Sequence, residues 1–159
     1  MNDLPYRLNV GAALFNADGL VFIGRRTGLP DGVPESWQMP QGGIDEGEDP
    51  AQAVLRELLE EIGTNNAAIL AEHPQWLSYE LPESGHRAAF RGRFRGQRQK
   101  WFALRFLGAD SDIALDLDSH PEFSAWRWAA LAELPELIVP FKRRVYEAVV
   151  TEFSRFARA

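Results

Sequence analysis

The apolar positions of the chain fall into two short-period stretches separated by a helical one. Leu8–Phe15 and Leu20–Arg26 are rich in β-forming residues and flank Asn16-Ala17-Asp18-Gly19, a turn sequence, so the pattern predicts a hairpin. Trp37-Gln38-Met39-Pro40 reads as extended, because the residue before a proline is pushed out of the helical region. From Asp49 the period changes. Asp49 is placed as an N-cap, Pro50 stands at the first helical position, Gln52 lies three residues past the cap, and Gly63 marks the stop. Between them Leu55, Leu58, Leu59 and Ile62 recur at helical spacing and predict one apolar face.

The second half returns to strand-like runs at Ile69–Leu70, Gln75–Leu81, Gln99–Leu107 and Phe123–Trp128, with a short strand expected at Ile113–Leu115. Thr27–Ser36, Pro40–Gly47 and Ser84–Gly96 read as loops from their Gly, Pro and polar content. Phe141, Val145, Ala148, Val149, Phe153 and Phe156 predict a closing amphipathic helix over Phe141–Phe156. Strands with two long helices predict an α/β domain in which helices cover a sheet. At 159 residues the chain is expected to form a single domain, 1–159.

Glu57, Glu60 and Glu61 stand at i, i+3 and i+4 of the first helix, on the side opposite the leucines. Like charges at that spacing cost roughly 0.2–0.5 kcal/mol per pair on an isolated helix, and Arg56 offsets only part of this through Glu60. A hard cation held by carboxylate oxygens would offset more. With no cysteine in the chain and its three histidines, His73, His86 and His120, scattered along it and expected at the surface, the donor set favours Mg²⁺ or Mn²⁺ over zinc. Such ions neutralise phosphate oxygens and activate water, so phosphoanhydride hydrolysis follows as the expected chemistry.

Gly42, then Glu48 after five residues, then Arg56-Glu57-Leu58-Leu59-Glu60-Glu61-Ile62-Gly63 after seven more, resembles the Nudix box over its whole length, with Thr64 where an aliphatic residue is usual. Tyr6–Gly11, Trp37–Gly43, Gly96–Phe102, Pro121-Glu122-Phe123 with Trp126-Arg127-Trp128, and Phe141-Lys142-Arg143 extend the resemblance to the bacterial RNA pyrophosphohydrolases, which overlap with the asymmetric dinucleoside polyphosphate hydrolases. Thr27–Ser36 is longer than in the enterobacterial type. The resemblance implies the α/β/α Nudix fold, with a mixed sheet between helices. It implies metal ligation by Glu57 and Glu61, with Glu60 as ligand or base, the carbonyl of Gly42 as a further ligand, and Glu122 as a distal ligand or base. It implies substrate contacts from Arg7, Arg26 and Lys142, and base clamping by Tyr79 and Phe141. Glu48 and Arg56 are expected to orient the loop by pairing with each other.

Hydrophobic content of 45% and charged content of 25% are ordinary for a globular protein. The N-terminus has no signal-peptide pattern and no run approaches a membrane span, so a cytoplasmic location is expected. Net charge is −6, yet His86–Arg105 holds seven Arg/Lys and no Asp/Glu, which leaves −13 on the rest of the chain. Such a segment can meet a polyanion locally. The function these features imply is Mg²⁺- or Mn²⁺-dependent conversion of 5′-triphosphate RNA to 5′-monophosphate. The same site could cut diadenosine tetraphosphate asymmetrically, and a non-catalytic module that binds nucleotides or RNA is the reading of a different class. The expected partners are therefore an RNA 5′ end or a dinucleoside polyphosphate as substrate, with no membrane.

Overall fold

A computed structural model describes residues 4–28, 36–81, 94–117 and 120–157. Its centre is β1, Tyr6–Phe15, whose residues from Asn9 onward are all buried. A strand buried on both faces reads as a continuous apolar run rather than an alternation, which is what Val10–Phe15 supplies. β1 pairs in parallel with β7, Gly96–Phe106, over ten residues from Tyr6↔Gly96 to Phe15↔Arg105. β2, Val21–Arg26, lies on its other side, followed by β3, Trp37–Gln38. β8, Phe123–Ala129, pairs antiparallel with β2. β5, Ala67–Glu72, and β6, Leu77–Glu80, both pair antiparallel with β7. β4, Gln41–Gly43, takes the edge of β1 at Asn9–Gly11, inside the stretch expected to be only loop.

The mixed sheet is covered on both faces, as expected. α1, Pro50–Ile62, packs Ala53, Val54, Leu58 and Ile62 against Val10, Ala12, Leu14, Phe102 and Leu104. α2, Leu134–Leu137, and α3, Arg143–Phe153, cover the opposite face with Leu134, Val145, Tyr146, Val149 and Phe153 over Ala13, Phe15, Trp101 and Ala103. Trp101 is fully buried, while Trp126 and Trp128 are half-buried and pack around Phe22, with Trp126 stacked on it at 5.5 Å. No helix among the described residues is long and apolar enough to cross a membrane.

Four expectations need correction. The buried stripe of α1 runs Val54, Leu58, Glu61, Ile62, and Leu59 is 48% exposed. One helical step of about 100° separates Leu58 from Leu59, so when Leu58 faces the sheet Leu59 turns away and Glu61 turns in. Ile113–Leu115 forms no strand. It follows a 3₁₀ turn at Asp110–Asp112, and Ala114 N–H donates to the Ile62 carbonyl, so the stretch closes the end of α1. The closing helix is divided: Pro140–Lys142 and Ser154–Phe156 are 3₁₀ turns flanking α3, which places Phe141 and Phe156 outside the α-helix. His73 is buried, with its Nδ1 accepting the Gln75 N–H at 3.1 Å. The loop readings over residues 29–35 and 84–93 lie outside the described residues.

Candidate active site

α1 starts and stops where its sequence dictates. The Asp49 carboxylate accepts the Ala51 N–H at 3.0 Å, Pro50 occupies the first turn, and Gly63 adopts φ +79°, a left-handed conformation that suits a residue without a Cβ. Arg56 fastens this helix to the loop before it. Its Nε and Nη2 donate to the two oxygens of Glu48 at 2.8 and 2.9 Å, and Nη2 also donates to the Gly43 carbonyl at 2.8 Å. Glu48 accepts the Asp45 N–H as well, and these bonds hold its carboxyl well below the usual range. The expected Glu48–Arg56 pair is thus present and bidentate, the strong form of the interaction.

The three glutamates of α1 occupy different environments. Glu60 points outward, its side chain 46% exposed, and accepts from Arg56 Nη1 at 3.2 Å. Glu57 is 13% exposed in its side chain and lies directly over Gly42: a Cβ on Gly42 would come within 2.0 Å of the Glu57 carboxylate. Only glycine lets the loop pass so close. Glu61 is 8% exposed as a residue, and the Gln41 backbone N–H reaches its carboxylate. Burial, with the charges of Glu122 and Glu57, pushes the Glu61 carboxyl well up. Burial also raises Glu57 to about 7, with Arg56 opposing and Glu60 adding.

Glu57 and Glu61 face each other within hydrogen-bonding reach. Two carboxylates can bond only if one carries a proton. Left ionised, Glu61 Oε2 is buried with no partner among the described residues. A site that must hold either a shared proton or a positive ion, lined only by oxygens, fits a hard divalent cation. Among the described residues no three acidic, His or Cys side chains already converge as a closed cage. Arg56 Nη1 instead holds Glu57 and Glu60 at 3.0 and 3.2 Å.

Around this pair the fold gathers the remaining expected residues. Glu122, at the start of β8, lies 3.6 Å from Arg26 Nε, and its main-chain carbonyl accepts the Thr27 N–H at 3.0 Å. Arg7 lies over Gly43, where a Cβ would meet its guanidinium at 2.4 Å. Lys142 is buried, with Nζ 3.5 Å from Gln38 Oε1 and 5.3 and 5.9 Å from the Tyr79 and Phe141 ring centres. Burial and then Arg26 lower its ammonium to about 7, against the pull of Glu122 and Glu61. Tyr79 and half-buried Phe141 touch at 5.6 Å with a 48° tilt, and the Tyr79 hydroxyl donates to Gln97 Oε1. Burial raises the Tyr79 phenol well above its ordinary range, which keeps it a donor.

The basic segment is partly used within the fold. Arg95 pairs with Glu80, Lys100 lies 3.3 Å from Glu72, Arg105 donates to the Asn16 carbonyl, and Arg98 sits 4.8 Å over the Tyr6 ring. Arg91 and Arg93 lie outside the described residues. Sequence reasoning gave no role to the buried amides Asn9, Gln38, Gln97 and Gln99, or to half-buried Gln41. Their signal was the alternation Gln97-Arg98-Gln99-Lys100, which turns two glutamines to one face of a strand.

Comparison with known proteins places this architecture and acidic helix. The NUDIX domain model matches residues 5–149, and the chain belongs to that family. It is 58% identical over 160 residues to an RNA pyrophosphohydrolase of Gluconacetobacter diazotrophicus, covering 98% of this chain and 96% of that protein. It is also 58% identical over 154 residues to the RNA pyrophosphohydrolase of Rhodospirillum rubrum, covering 97% and 90%. The fold is shared with the E. coli dihydroneopterin triphosphate pyrophosphohydrolase at a TM-score of 0.65 and 20% identity, over 93% of this chain and 99% of that one. A C. elegans Ap4A hydrolase is similar at 0.64 and 20%, over 93% and 96%.

Proposed function

We propose that this protein is a single-domain pyrophosphohydrolase that converts 5′-triphosphate RNA ends to 5′-monophosphate ends, releasing pyrophosphate, and that it requires Mg²⁺ or Mn²⁺. The observation that carries the reading is the Glu57–Glu61 pair beneath Gly42, with a buried Glu61 Oε2 that has no donor among the described residues. The relatives named RNA pyrophosphohydrolase, 50–58% identical across nearly the whole chain, support RNA as the substrate class.

Glu57, Glu61 and the Gly42 carbonyl would hold the cation, with Glu122 completing the acidic side. A bound divalent ion supplies charge neutralisation at phosphate oxygens and Lewis acidity toward the attacked phosphorus. The protein's own groups do the rest. Arg7 and Arg26 would present positive charge to the polyphosphate, Arg26 from beside Glu122, and Lys142 would add a charge when protonated. Glu122, partly exposed and ion-paired with Arg26, would take the proton as water adds to phosphorus. The anhydride bond opens, and its electron pair leaves on the bridging oxygen. Half-buried Phe141, backed by the buried Tyr79 ring, would offer an aromatic face to a base of the first nucleotides, a sequence-tolerant contact suited to varied 5′ ends. Glu60, the ligand or base of the sequence expectation, accepts from Arg56 on the solvent side.

The test compares rates on triphosphorylated RNA and diadenosine tetraphosphate, with and without chelator. Faster pyrophosphate release from RNA, abolished by chelation, is expected. Preference for diadenosine tetraphosphate would assign the same site to asymmetric dinucleotide cleavage. Full turnover in excess chelator would remove the metal from the mechanism.

A further inference from the structure

Behind the Gly42 loop, on the sheet face covered by α3, four amide side chains from three strands form a continuous hydrogen-bonded chain. Gln99 Nε2 donates to Asn9 Oδ1 at 2.8 Å and to Gln41 Oε1 at 3.2 Å. Gln41 Nε2 donates to Gln97 Oε1 at 3.2 Å, and the Tyr79 hydroxyl donates to the same oxygen. At the other end Trp101 Nε1 donates to Gln99 Oε1 at 3.0 Å. Asn9 and Gln99 are each 1% exposed, so water is not an alternative partner for them.

The direction of this chain is forced. An indole N–H can only donate. Trp101 therefore turns the Gln99 oxygen toward itself and the Gln99 amine toward Asn9 and Gln41. Those two must then present oxygens, which turns the Gln41 amine toward Gln97. Flipping any one amide would set donor against donor or acceptor against acceptor inside the protein, where an unpaired polar group is costly. The indole thus sets the orientation of Gln41, two strands away. Gln41 is the residue whose backbone N–H reaches Glu61, and Gly42 follows it directly beneath Glu57.

We propose that the chain from Trp101 through Gln99 and Asn9 to Gln41 and Gln97 is a positioning device for the acidic site. It fixes the Gln41 side chain and so holds the backbone of residues 41–43 at the spacing that places Glu61 and the Gly42 carbonyl around one cation. Gln99, at the branch point, is the principal positioning residue. The inference rests on the reading of Glu57 and Glu61 as a cation site. Partners of this kind behind a metal site commonly contribute 10–100-fold in affinity or activity.

The experiment measures Mn²⁺ binding to the full chain by the electron paramagnetic resonance signal of free Mn²⁺, together with kcat, KM and Tm. Gln99→Met keeps the shape and removes the amide. Trp101→Phe removes the N–H that sets the direction together with the volume of the five-membered ring, a packing loss for which Val149→Ala is the control. Val149→Ala, in the α3 core, lowers stability without touching the chain. Gln99→Met is expected to weaken Mn²⁺ binding about tenfold or more and to lower kcat with KM little changed. Trp101→Phe should do so in the same direction by a smaller factor, and Val149→Ala should lower Tm alone. Wild-type Mn²⁺ affinity in both amide-chain variants overturns the proposal, as does an equal loss of affinity in Val149→Ala. Should Gln99→Met fail to fold, Trp101→Phe decides by the same criterion. A wild-type protein that binds no Mn²⁺ overturns the cation site and this inference together, whereas wild-type binding unaffected by either variant removes this inference alone.

Discussion

Without divalent ions the protein should lose stability as pH rises from 4.5 to 7, the reverse of the behaviour of a salt-bridged carboxylate. Glu57 has a folded value of about 7 against an ordinary 4.5, chiefly because it is buried. Below pH 4.5 it is protonated in both folded and unfolded chains, and its full stabilisation is present. Between 4.5 and 7 the unfolded chain releases the proton while the folded one keeps it, so each pH unit shifts the balance toward unfolding by about 1.4 kcal/mol. The interval from 4.5 to about 7 therefore corresponds to about 3 kcal/mol. For a chain of this size that is roughly 6–12 °C in Tm. Glu61 is pushed in the same direction, chiefly by its own burial, and adds to the fall. Other shifted groups act in different windows. Glu48, lowered, contributes stability that is lost only below 4.5. Lys142, lowered from 10.5 to about 7, makes stability rise with pH above 7. The assay is thermal and urea unfolding in chelator at pH 5, 6 and 7, repeated with Glu57→Gln and with excess Mg²⁺. The fall should appear in the metal-free wild type, lessen in Glu57→Gln, where Glu61 alone remains raised, and vanish with Mg²⁺, which replaces the proton. Stability that is flat or rising across this window in chelator, or an unchanged slope in Glu57→Gln, would refute the reasoning.

Two further substitutions probe the geometry directly. Gly42→Ala puts a methyl 2.0 Å from the Glu57 carboxylate and must displace it, so Mn²⁺ affinity and kcat should both fall by about 10–100-fold; unchanged titration and kinetics would mean the loop and Glu57 do not act together. Glu122→Gln should lower kcat by about 10²-fold or more with KM nearly unchanged, the signature of an interaction made in the transition state, and wild-type kinetics would return Glu122 to a turn residue paired with Arg26.

The sequence by itself determined the parts of this protein whose causes are local. The ends of α1 follow from Asp49, Pro50 and Gly63, because caps are made by neighbouring residues. The Glu48–Arg56 pair spans eight residues across the helix cap and about two helical turns, short enough for motif spacing to imply it. The chemistry of the site, oxygen donors without Cys or His, is likewise a matter of residue types. Tertiary structure decided which glutamates face inward. Period alone marks a polar face, but the sheet chooses the rotational phase of the helix, and it turned Glu61 in with Leu58 and left Leu59 and Glu60 outside. Glycines 42 and 43 became the end of an edge strand only because β1 offered unpaired backbone groups beside them. All four of the basic segment's described cations found partners distant in sequence, which no charge count reveals. The amide chain is the furthest from sequence. Asn9, Gln41, Gln97 and Gln99 are unremarkable polar residues until the parallel pairing of β1 with β7, and the antiparallel pairing of β1 with β4, turns all four to one face, where burial of Asn9, Gln97 and Gln99 makes each amide bond to the next.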